Sequence, residues 1–247
     1  MAKKSGRLTP WTSKITVVQK NRLETYGIDQ TRIIKNFSFE DVVFLLLQRR
    51  RPTPMQKDLL RAVLVSHISH GITGQSTLAV MQAADCRSSF VNAVIAGFAV
   101  GSGQYHQGGL QAAMLELIEL ARVPKTKLRV LLQERLKHKK KVIGFGHRYH
   151  SVDPRARALV RLATRNRKAG KYLSTAMQVE DVLFRLKGIR MNIEAAGGAI
   201  LLDMGFSPLV AHLFIILGRS PMYAAVYLER LKKAQPFPKI RIFDVVE

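Results

Sequence analysis

Apolar residues recur at intervals of three and four along most of this 247-residue chain, whereas strictly alternating apolar and polar runs are scarce. The first spacing places apolar side chains on one face of a helix, and a half-buried strand would need the second. Thr53-Pro54, Asp153-Pro154 and Ser207-Pro208 each pair a capping residue with a proline at the first helical position. The pattern therefore predicts an all-α fold.

Helix boundaries follow from the same signals. Ser38 followed by Asp41 three residues later is typical of a capped helix start. A basic helix is expected over residues 154–168, because Asp153-Pro154 opens it. Two successive apolar helices are expected over residues 208–217 and 221–233, since a proline stands at the head of each.

Composition divides the chain near residue 125, where Ala- and Gly-rich helical segments give way to a basic region. We therefore predict a small helical lobe, residues 125–220, inserted in a large helical lobe formed by residues 1–124 and 221–247. Residues 13–18 and 240–243 are the segments expected to be extended.

The chain carries 40 Lys and Arg against 17 Asp and Glu, a formal net charge of +23. Residues 135–171 hold thirteen of the basic residues and one acid. A strongly basic balance is typical of proteins that bind polyanions. Concentration in one segment favours a multiply phosphorylated small ligand. A basic nucleic-acid-binding helical protein is the alternative from another class, although the stacking aromatics that it would need are few and lie mostly in apolar helices.

No uninterrupted apolar run reaches the roughly 18 residues that span a bilayer, so no membrane association is expected. The basic N-terminus lacks the apolar core of a secretion signal. A single cysteine, Cys86, excludes an internal disulfide framework, and its acidic neighbour favours a structural thiol over a nucleophile. A cytoplasmic location is therefore expected.

Three of the seven histidines, His70, His106 and His147, stand beside glycines. Glycine lets a ligand approach the backbone, and histidine exchanges protons near neutral pH. A capped loop residue is the alternative for any one of them. His67 and His70 could share a metal ion, but no carboxylate or cysteine lies within a few residues to complete the site, so no metal is expected.

Arginines near these points are candidate carboxylate ligands, because a planar guanidinium binds a carboxylate through two parallel hydrogen bonds. They are Arg148, Arg155, Arg157 and Arg219. Glu194 stands alone at the head of an apolar helix. Partial burial would raise its pKa and suit it to acid–base work at carbon. The residues themselves leave open the alternative that Glu194 only stabilises the helix N-terminus.

The segments Gly144-Phe145-Gly146-His147-Arg148 and Asp153-Pro154-Arg155 closely resemble the GxGH(R/A)…DPR loop of citrate synthases. Other segments resemble that family in the same order along the chain: Ser38–Leu47, His70-Gly71 with Ser76-Thr77, His106 with Gly108-Gly109, Asn192-Ile193-Glu194, and Gly218-Arg219-Ser220. The compact length resembles citryl-CoA lyase and the lyase module of ATP-citrate lyase.

The resemblance implies an all-helical fold of a large and a small lobe, a homo-oligomer built from dimers, and a coenzyme A substrate without a metal. It implies that citryl-CoA, or a related 3-hydroxy-acyl-CoA, is cleaved to acetyl-CoA and a 2-oxo acid. His70, Arg148, Arg155 or Arg157, and Arg219 would hold the citryl group. Lys139, Lys140 and Lys141 would meet the phosphates of coenzyme A.

Three residues carry the implied chemistry. His147 would take the hydroxyl proton as the C–C bond breaks. Glu194 would protonate the enolate carbon of acetyl-CoA. His106 would hydrogen-bond the thioester oxygen, as in an oxyanion hole.

This chain departs from the family's pattern at three points. Glu194 stands for an aspartate, Gln107 is inserted between the histidine and the two glycines, and Glu24-Thr25-Tyr26-Gly27 stands where the family has Arg-Gly-Tyr. A condensing enzyme of the citrate synthase type, and a catalytically weak acyl-CoA-binding homologue, therefore remain as alternatives to the lyase.

Overall fold

The computed structural model describes residues 13–103, 106–165 and 168–233, which form two compact units, Met1–Lys57 and Asp58–Glu247. The described part of the chain is mostly helical, with eleven α-helices and three short strands. The predicted all-α fold is confirmed. The predicted lobes, residues 125–220 and the remainder, stay a prediction, and the extended segment expected at residues 240–243 lies outside the described residues.

The first unit starts with an antiparallel meander of three strands: β1 (Thr16–Gln19), β2 (Arg22–Thr25) and β3 (Ile28–Asp29). Tyr26 and Gly27 join β2 to β3 and both have positive φ, 47° and 74°. Two positive φ values suit a tight hairpin, because they match the twist of the flanking strands. The extended start was predicted, whereas β2 and β3 were not.

Two helices follow in this unit: α1 (Gln30–Asn36) and α2 (Phe39–Gln48). Ser38 caps α2, and its hydroxyl accepts the amide of Asp41 while the Asp41 carboxylate accepts the amide of Ser38. The predicted helix start is therefore confirmed. Asp41 is 3% exposed and pairs with Lys57 at 3.0 Å, so its buried charge is compensated.

The remaining helices complete the fold, and α3 spans the boundary between the two units. They are α3 (Pro54–Ser66), α4 (Gln75–Asp85), α5 (Phe90–Gly101), α6 (Gly108–Leu120), α7 (Lys125–Lys137), α8 (Pro154–Thr164), α9 (Lys171–Lys187), α10 (Ile193–Asp203) and α11 (Ala211–Lys233). Short 3₁₀ turns precede α4 and α11. Helix α8 begins at the predicted proline and ends four residues before the predicted end.

The prediction of two helices separated at Pro221 is wrong, because α11 runs unbroken with this proline inside it. A proline in a helix removes one backbone hydrogen bond and favours a break. Packing outweighs that preference here. Phe214 before the proline and Tyr223 after it are both fully buried, and Tyr223 belongs to a core cluster with Val80 and Ala93.

Among the described residues, one helical segment, Pro208–Lys232, is long and apolar enough by length and composition to cross a membrane, with a mean hydropathy of 1.5. The core helix of a soluble protein passes the same test. The segment carries Arg219, which is 4% exposed and hydrogen-bonded inside the fold. The expectation of no membrane association stays a prediction.

Helix α10 packs against α6, α8 and α9, and most of its residues are buried. Its small residues permit this, since a Cβ on Gly197 would approach the His67 ring at 3.3 Å, and one on Gly198 would approach Met114 at 3.0 Å. The N-terminus of α10 carries Glu194. The helix that bears the candidate acid is therefore held on several sides.

Gly218 lies where α11 passes the end of α3. A Cβ at this position would press on the carbonyl oxygen of Leu64. Because glycine avoids this clash, the next residue in α11, Arg219, comes within hydrogen-bonding distance of the backbone at the C-terminal end of α3. The Arg219 Nε–H donates to the carbonyl oxygen of His67 at 2.7 Å.

We expect Gly218→Ala to lower the free energy of unfolding by about 1–3 kcal/mol, because the added methyl must push backbone apart. Gly103→Ala is the matched control, since its Cβ would meet only the Val100 carbonyl oxygen at 3.8 Å. Urea denaturation of both variants measures the difference. Equal midpoints for the two variants would contradict the close approach of α11 to α3.

Candidate active site

The loop at residues 144–146 is hydrogen-bonded to the segment that leads into α10. The Gly146 amide donates to the Arg190 carbonyl at 2.7 Å, and the Asn192 amide donates to the Gly144 carbonyl at 3.0 Å. The Asn192 side-chain amide donates to the Gly146 carbonyl at 2.9 Å. Both glycines have a φ of 89°, which L side chains rarely adopt. The loop is thereby fixed beside α10.

Asn192 also caps α10, and its side-chain oxygen accepts the amide of Glu194 at 3.0 Å. The same side chain thus holds the loop that carries His147 and the helix turn that carries Glu194. Asn192 therefore helps to fix the positions of these two candidate groups relative to each other.

Asp153 forms a second set of hydrogen bonds at the start of α10. Its buried carboxylate accepts the Ile193 amide at 3.1 Å and the Arg155 guanidinium at 2.9 Å. Burial would raise the pKa of Asp153, but the hydrogen bonds and charge of Arg155 outweigh it and the pKa is lowered. Asp153 is therefore ionised at neutral pH and joins the start of α8 to the start of α10.

The hydrogen-bond partners of His147 define its tautomer. Its Nδ1 accepts the backbone amides of Tyr149 and His150, each at 3.1 Å. A nitrogen that accepts carries no proton, so the neutral ring holds its proton on Nε2. Burial lowers the pKa of His147 and favours this neutral form. His147 therefore offers an N–H donor at Nε2, which departs from the proton-accepting role implied by the family resemblance.

His70 has the opposite tautomer. The Thr73 hydroxyl donates to the His70 carbonyl at 2.7 Å, so its oxygen is left to accept the His70 Nδ1–H at 3.0 Å. Nε2 of His70 then carries a lone pair. The His70 and His147 rings stack with centroids 5.9 Å apart and planes 12° apart. One acceptor nitrogen and one donor nitrogen therefore belong to neighbouring rings.

His106 is hydrogen-bonded to Ser76, whose Oγ lies 2.8 Å from the His106 Nε2. Burial lowers the pKa of His106, so the ring is neutral at neutral pH. The inserted Gln107 is buried, and its side-chain amide donates to the Tyr223 hydroxyl at 3.0 Å. Gly101 leaves room for it, because a Cβ there would lie 2.5 Å from the Gln107 amide carbon. The insertion is thus packed into the fold and tied to α11.

Burial raises the pKa of Glu194, as the sequence predicted. The opposing influences are a backbone hydrogen bond and the charge of Arg155, and they do not overcome the loss of water. The side chain lies against the first turn of α6, since a Cβ on Gly109 would approach its Cγ at 3.3 Å. A carboxyl group with a raised pKa keeps its proton to higher pH than an exposed glutamate does, and it can therefore act as a general acid.

Arg219 and His67 are both buried and each has a nitrogen without a partner among the described residues, Nη1 of Arg219 and Nε2 of His67. The His67 Nδ1 lies 2.9 Å from the Val63 carbonyl oxygen. Burial lowers the pKa of His67 to about 4, so the ring is neutral at neutral pH. A buried polar atom without a partner costs about 1–3 kcal/mol, which a ligand can recover.

A cavity of about 270 Å³ unites most of the predicted site residues. It is lined by His70, His106, His147, Arg148, Arg155, Glu194 and Arg219. Arg157 is not among the lining residues, and its guanidinium pairs with Glu180 at 3.4 Å. Its role as a substrate ligand stays a prediction.

Lys139, Lys140 and Lys141 are exposed and line a different cavity of about 160 Å³. Apolar side chains form the rest of its wall: Leu136, Val142, Phe145, Leu183 and Ile189. Phe145 follows Gly144, a lining residue of the first cavity, so the two cavities meet along one loop. Cationic groups around an apolar cleft suit a ligand with phosphates and a flat apolar part.

Sequence reasoning missed several residues of the site. They are Thr73, Gly74, Gln75, Asn192 as a loop tie, and His67 as a cavity residue. A capping asparagine before Glu194 was visible in the sequence, but its reach to Gly146 was not. Within the described ranges, no three His, Cys, Asp or Glu side chains group together as metal ligands would.

The fold is mostly helical, and one cavity brings together histidines, arginines and a carboxyl group whose pKa is raised. The family model for the citrate synthase C-terminal domain matches residues 47–241. The chain therefore belongs to the citrate synthase family.

Solved structures and curated relatives agree on the family. Citryl-CoA lyase from Hydrogenobacter thermophilus is similar with a TM-score of 0.85 and 30% identity over 96% of this chain and 93% of that chain. ATP citrate lyase from Methanothrix soehngenii, in complex with citrate and coenzyme A, shares the fold with a TM-score of 0.85 and 18% identity, over 98% of this chain and 42% of that chain.

Among curated relatives, citrate synthase from Deinococcus radiodurans is 29% identical over 178 residues, 67% of this chain and 46% of that protein. Citrate synthase from Helicobacter pylori is 26% identical over 194 residues, 74% of this chain and 45% of that protein. The chain thus spans about half the length of these citrate synthases.

We expect Glu194→Gln to change how stability depends on pH. Because folding raises the pKa of Glu194, its contribution to stability is full below the ordinary value of 4.5 and is lost as pH rises through the raised value. The variant cannot titrate there, so its free energy of unfolding should gain on the wild type between pH 4 and pH 8. Urea denaturation across this range measures the gain.

Glu119→Gln is the control, because Glu119 is exposed on α6. Its free energy of unfolding should run parallel to that of the wild type. A Glu194→Gln curve that also runs parallel would mean that folding leaves the pKa of Glu194 unchanged.

Proposed function

We propose that the protein is a carbon–carbon lyase that cleaves citryl-CoA, or a related 3-hydroxy-acyl-CoA, to acetyl-CoA and a 2-oxo acid. The observation that carries the proposal is that the carboxyl group of Glu194, whose pKa is raised by burial, lies in one cavity with His106 and His147. Cleavage needs an acid to protonate the new carbanion carbon, and a raised pKa keeps Glu194 protonated at higher pH.

The other residues of the cavity suit an acyl group with several carboxylates. Arg148, Arg155 and Arg219 provide guanidinium groups for them, and the buried Nη1 of Arg219 has no partner among the described residues. His106 would hydrogen-bond the thioester oxygen where enolate charge develops. His147, with its Nε2–H, would donate to the oxygen of the reacting carbon.

Coenzyme A would extend from this cavity to the second one. Lys139, Lys140 and Lys141 would meet its phosphates, and the apolar wall between them suits the adenine ring. No metal is required by this arrangement, since N–H donors stabilise the developing charge.

The degree of structural likeness supports the lyase over the condensing enzyme. The Hydrogenobacter citryl-CoA lyase is 30% identical with a TM-score of 0.85, whereas the solved citrate synthase from Thermotoga maritima, covered to 95% of its length, is 16% identical with a TM-score of 0.65. The names of the curated relatives favour the alternative, a synthase that condenses acetyl-CoA with a 2-oxo acid. The two reactions would share the C–C bond step in opposite directions, and a synthase would in addition hydrolyse the thioester with water, which frees the thiol.

Two incubations separate the directions. We expect purified protein with citryl-CoA to form the 2-oxo acid, detected as oxidation of NADH by added malate dehydrogenase, without release of free thiol. A synthase would release free thiol from acetyl-CoA plus oxaloacetate. Absence of both signals, with no thermal stabilisation by coenzyme A, would overturn the proposal.

Glu194→Gln should lower kcat for cleavage by about 10²- to 10⁴-fold, because the amide cannot deliver a proton. Glu194→Asp keeps the acid and should lose less. Glu119→Gln on the exposed face of α6 should leave the rate unchanged. Full activity in Glu194→Gln would show that Glu194 does not deliver the proton and only stabilises the N-terminus of α10.

The expected homo-oligomer is supported by α5. This helix buries its small residues Ala93 and Gly97, while Phe90, Val91 and Ile95 are 44%, 63% and 59% exposed. An apolar helix face of this kind gains free energy when a second copy covers it. Light scattering of the purified protein measures the mass.

A further inference from the structure

We propose that Arg157 and Glu180 form a positioning pair outside the cavity, which fixes the segment 190–192 and, through it, the loop 144–146. The effect of this pair on turnover rests on the proposed function. The inference gives Arg157 a different task from the substrate contact that the family resemblance implied.

Glu180 is a buried carboxylate in the middle of α9, with 8% of its surface exposed. Its Oε1 accepts the backbone amide of Met191 at 3.2 Å. The guanidinium of Arg157 lies 3.4 Å from the same oxygen, and that of Arg190 lies 4.0 Å from it. A buried carboxylate needs such cations, because loss of water disfavours its charge. Glu180 therefore joins α9 to α8 and to the segment before α10.

Met191 forms an antiparallel bridge with Phe145. The bridge uses the Arg190 carbonyl, which accepts the Gly146 amide, and the amide of residue 192, which donates to the carbonyl of residue 144. The Met191 amide takes no part in the bridge and donates to Glu180 instead. Glu180 thus holds one side of a short ladder whose other side is the loop before His147.

The loop 144–146 contributes to the walls of both cavities. Gly144 and Gly146 line the first cavity, and Phe145 lines the second. Phe145 also packs against a buried apolar cluster that contains Val179 and Leu183, which neighbour the carboxylate in α9. A displacement of the bridged segments would therefore move the walls of both cavities together.

Two arginines of α8 have different partners. Arg155 lines the cavity and pairs with Asp153, whose carboxylate accepts the amide of Ile193. Arg157 lies two residues further along α8, and residues two apart on a helix face different directions. Its partner is Glu180. Two carboxylates, each paired with an arginine of α8, therefore hold the segment before α10, and Arg155 is the arginine that lines the cavity.

The need for Arg157 depends on the charge of Glu180. Without Arg157, the carboxylate would keep among the described residues only the 4.0 Å contact with Arg190. It would then gain free energy by turning toward water, which would withdraw the acceptor from the Met191 amide. The Glu180→Gln side chain carries no charge, and its oxygen can still accept that amide.

A double-mutant cycle on kcat/KM for citryl-CoA cleavage tests the pair. Arg157→Met should lower kcat/KM by about 10- to 100-fold, because a small displacement of the loop is costly to catalysis. In the Glu180→Gln background, the same substitution should lower it by about threefold or less, since effects that pass through one contact do not add. An equal loss in both backgrounds would overturn the proposal, because Arg157 would then act on the substrate itself.

Conservative variants and a surface variant complete the test. Glu180→Gln alone should retain most of the rate, whereas Glu180→Met removes the acceptor and should lose as much as Arg157→Met. Arg161→Met removes an exposed arginine from the same helix and should leave kcat/KM unchanged. Full activity in Glu180→Met would overturn the proposal.

Urea denaturation of each variant keeps the test valid when a single substitution harms folding. If Arg157→Met does not fold, the double variant with Glu180→Gln should fold, because it has no buried charge to compensate. A double variant that also fails to fold would overturn the pairing of Arg157 with Glu180.

A measurement independent of turnover distinguishes failure of this inference from failure of the proposed function. Hydrogen exchange of backbone amides reports local opening. In Glu180→Met, amides within residues 144–146 and 191–192 should exchange about tenfold faster, because a lost hydrogen bond lowers the cost of opening. The amides of Tyr172 and Leu173, which are hydrogen-bonded at the start of α9, are the control. Unchanged exchange in the two segments would overturn the inference whether or not the protein cleaves citryl-CoA.

Discussion

The hydrogen bonds between residues 144–146 and residues 190–192 hold this site together. Backbone groups of the two segments pair directly, and the Asn192 side chain bonds both the Gly146 carbonyl and the Glu194 amide. These hydrogen bonds fix the position of the loop before His147 relative to the N-terminus of α10, which carries Glu194. Acid–base catalysis depends on such distances, because a displacement of an ångström can cost about a hundredfold in rate.

The neighbours of each histidine decide what it can do. Thr73 makes the Nε2 of His70 an acceptor, and two backbone amides make the Nε2 of His147 a donor. Burial lowers the pKa of both rings and so favours their neutral forms, and it raises the pKa of the Glu194 carboxyl group and so favours its protonated form. One physical cause, loss of water, thus shifts the pKa of the histidines and of the carboxyl group in opposite directions, since it disfavours the charged form of either kind of group.

Two glycines permit close contacts beside the cavity. Gly218 lets α11 approach α3 so that Arg219 reaches the His67 carbonyl, and Gly101 leaves room for the inserted Gln107. The insertion that sets this chain apart from the family's pattern is thus absorbed inside the fold and linked to Tyr223. The extra residue between His106 and the two glycines is accommodated because its side chain packs against α11.

The sequence alone determined the all-α fold, the capped starts of α2 and α8, and the family, because periodicity, caps and the order of motifs are features of the chain itself. It did not determine that α11 continues through Pro221, that Arg157 pairs with Glu180, or which nitrogen of each histidine is free. Those outcomes depend on contacts between residues far apart in the chain. The tertiary structure decided them, since a ring's tautomer is set by the groups that surround it in space.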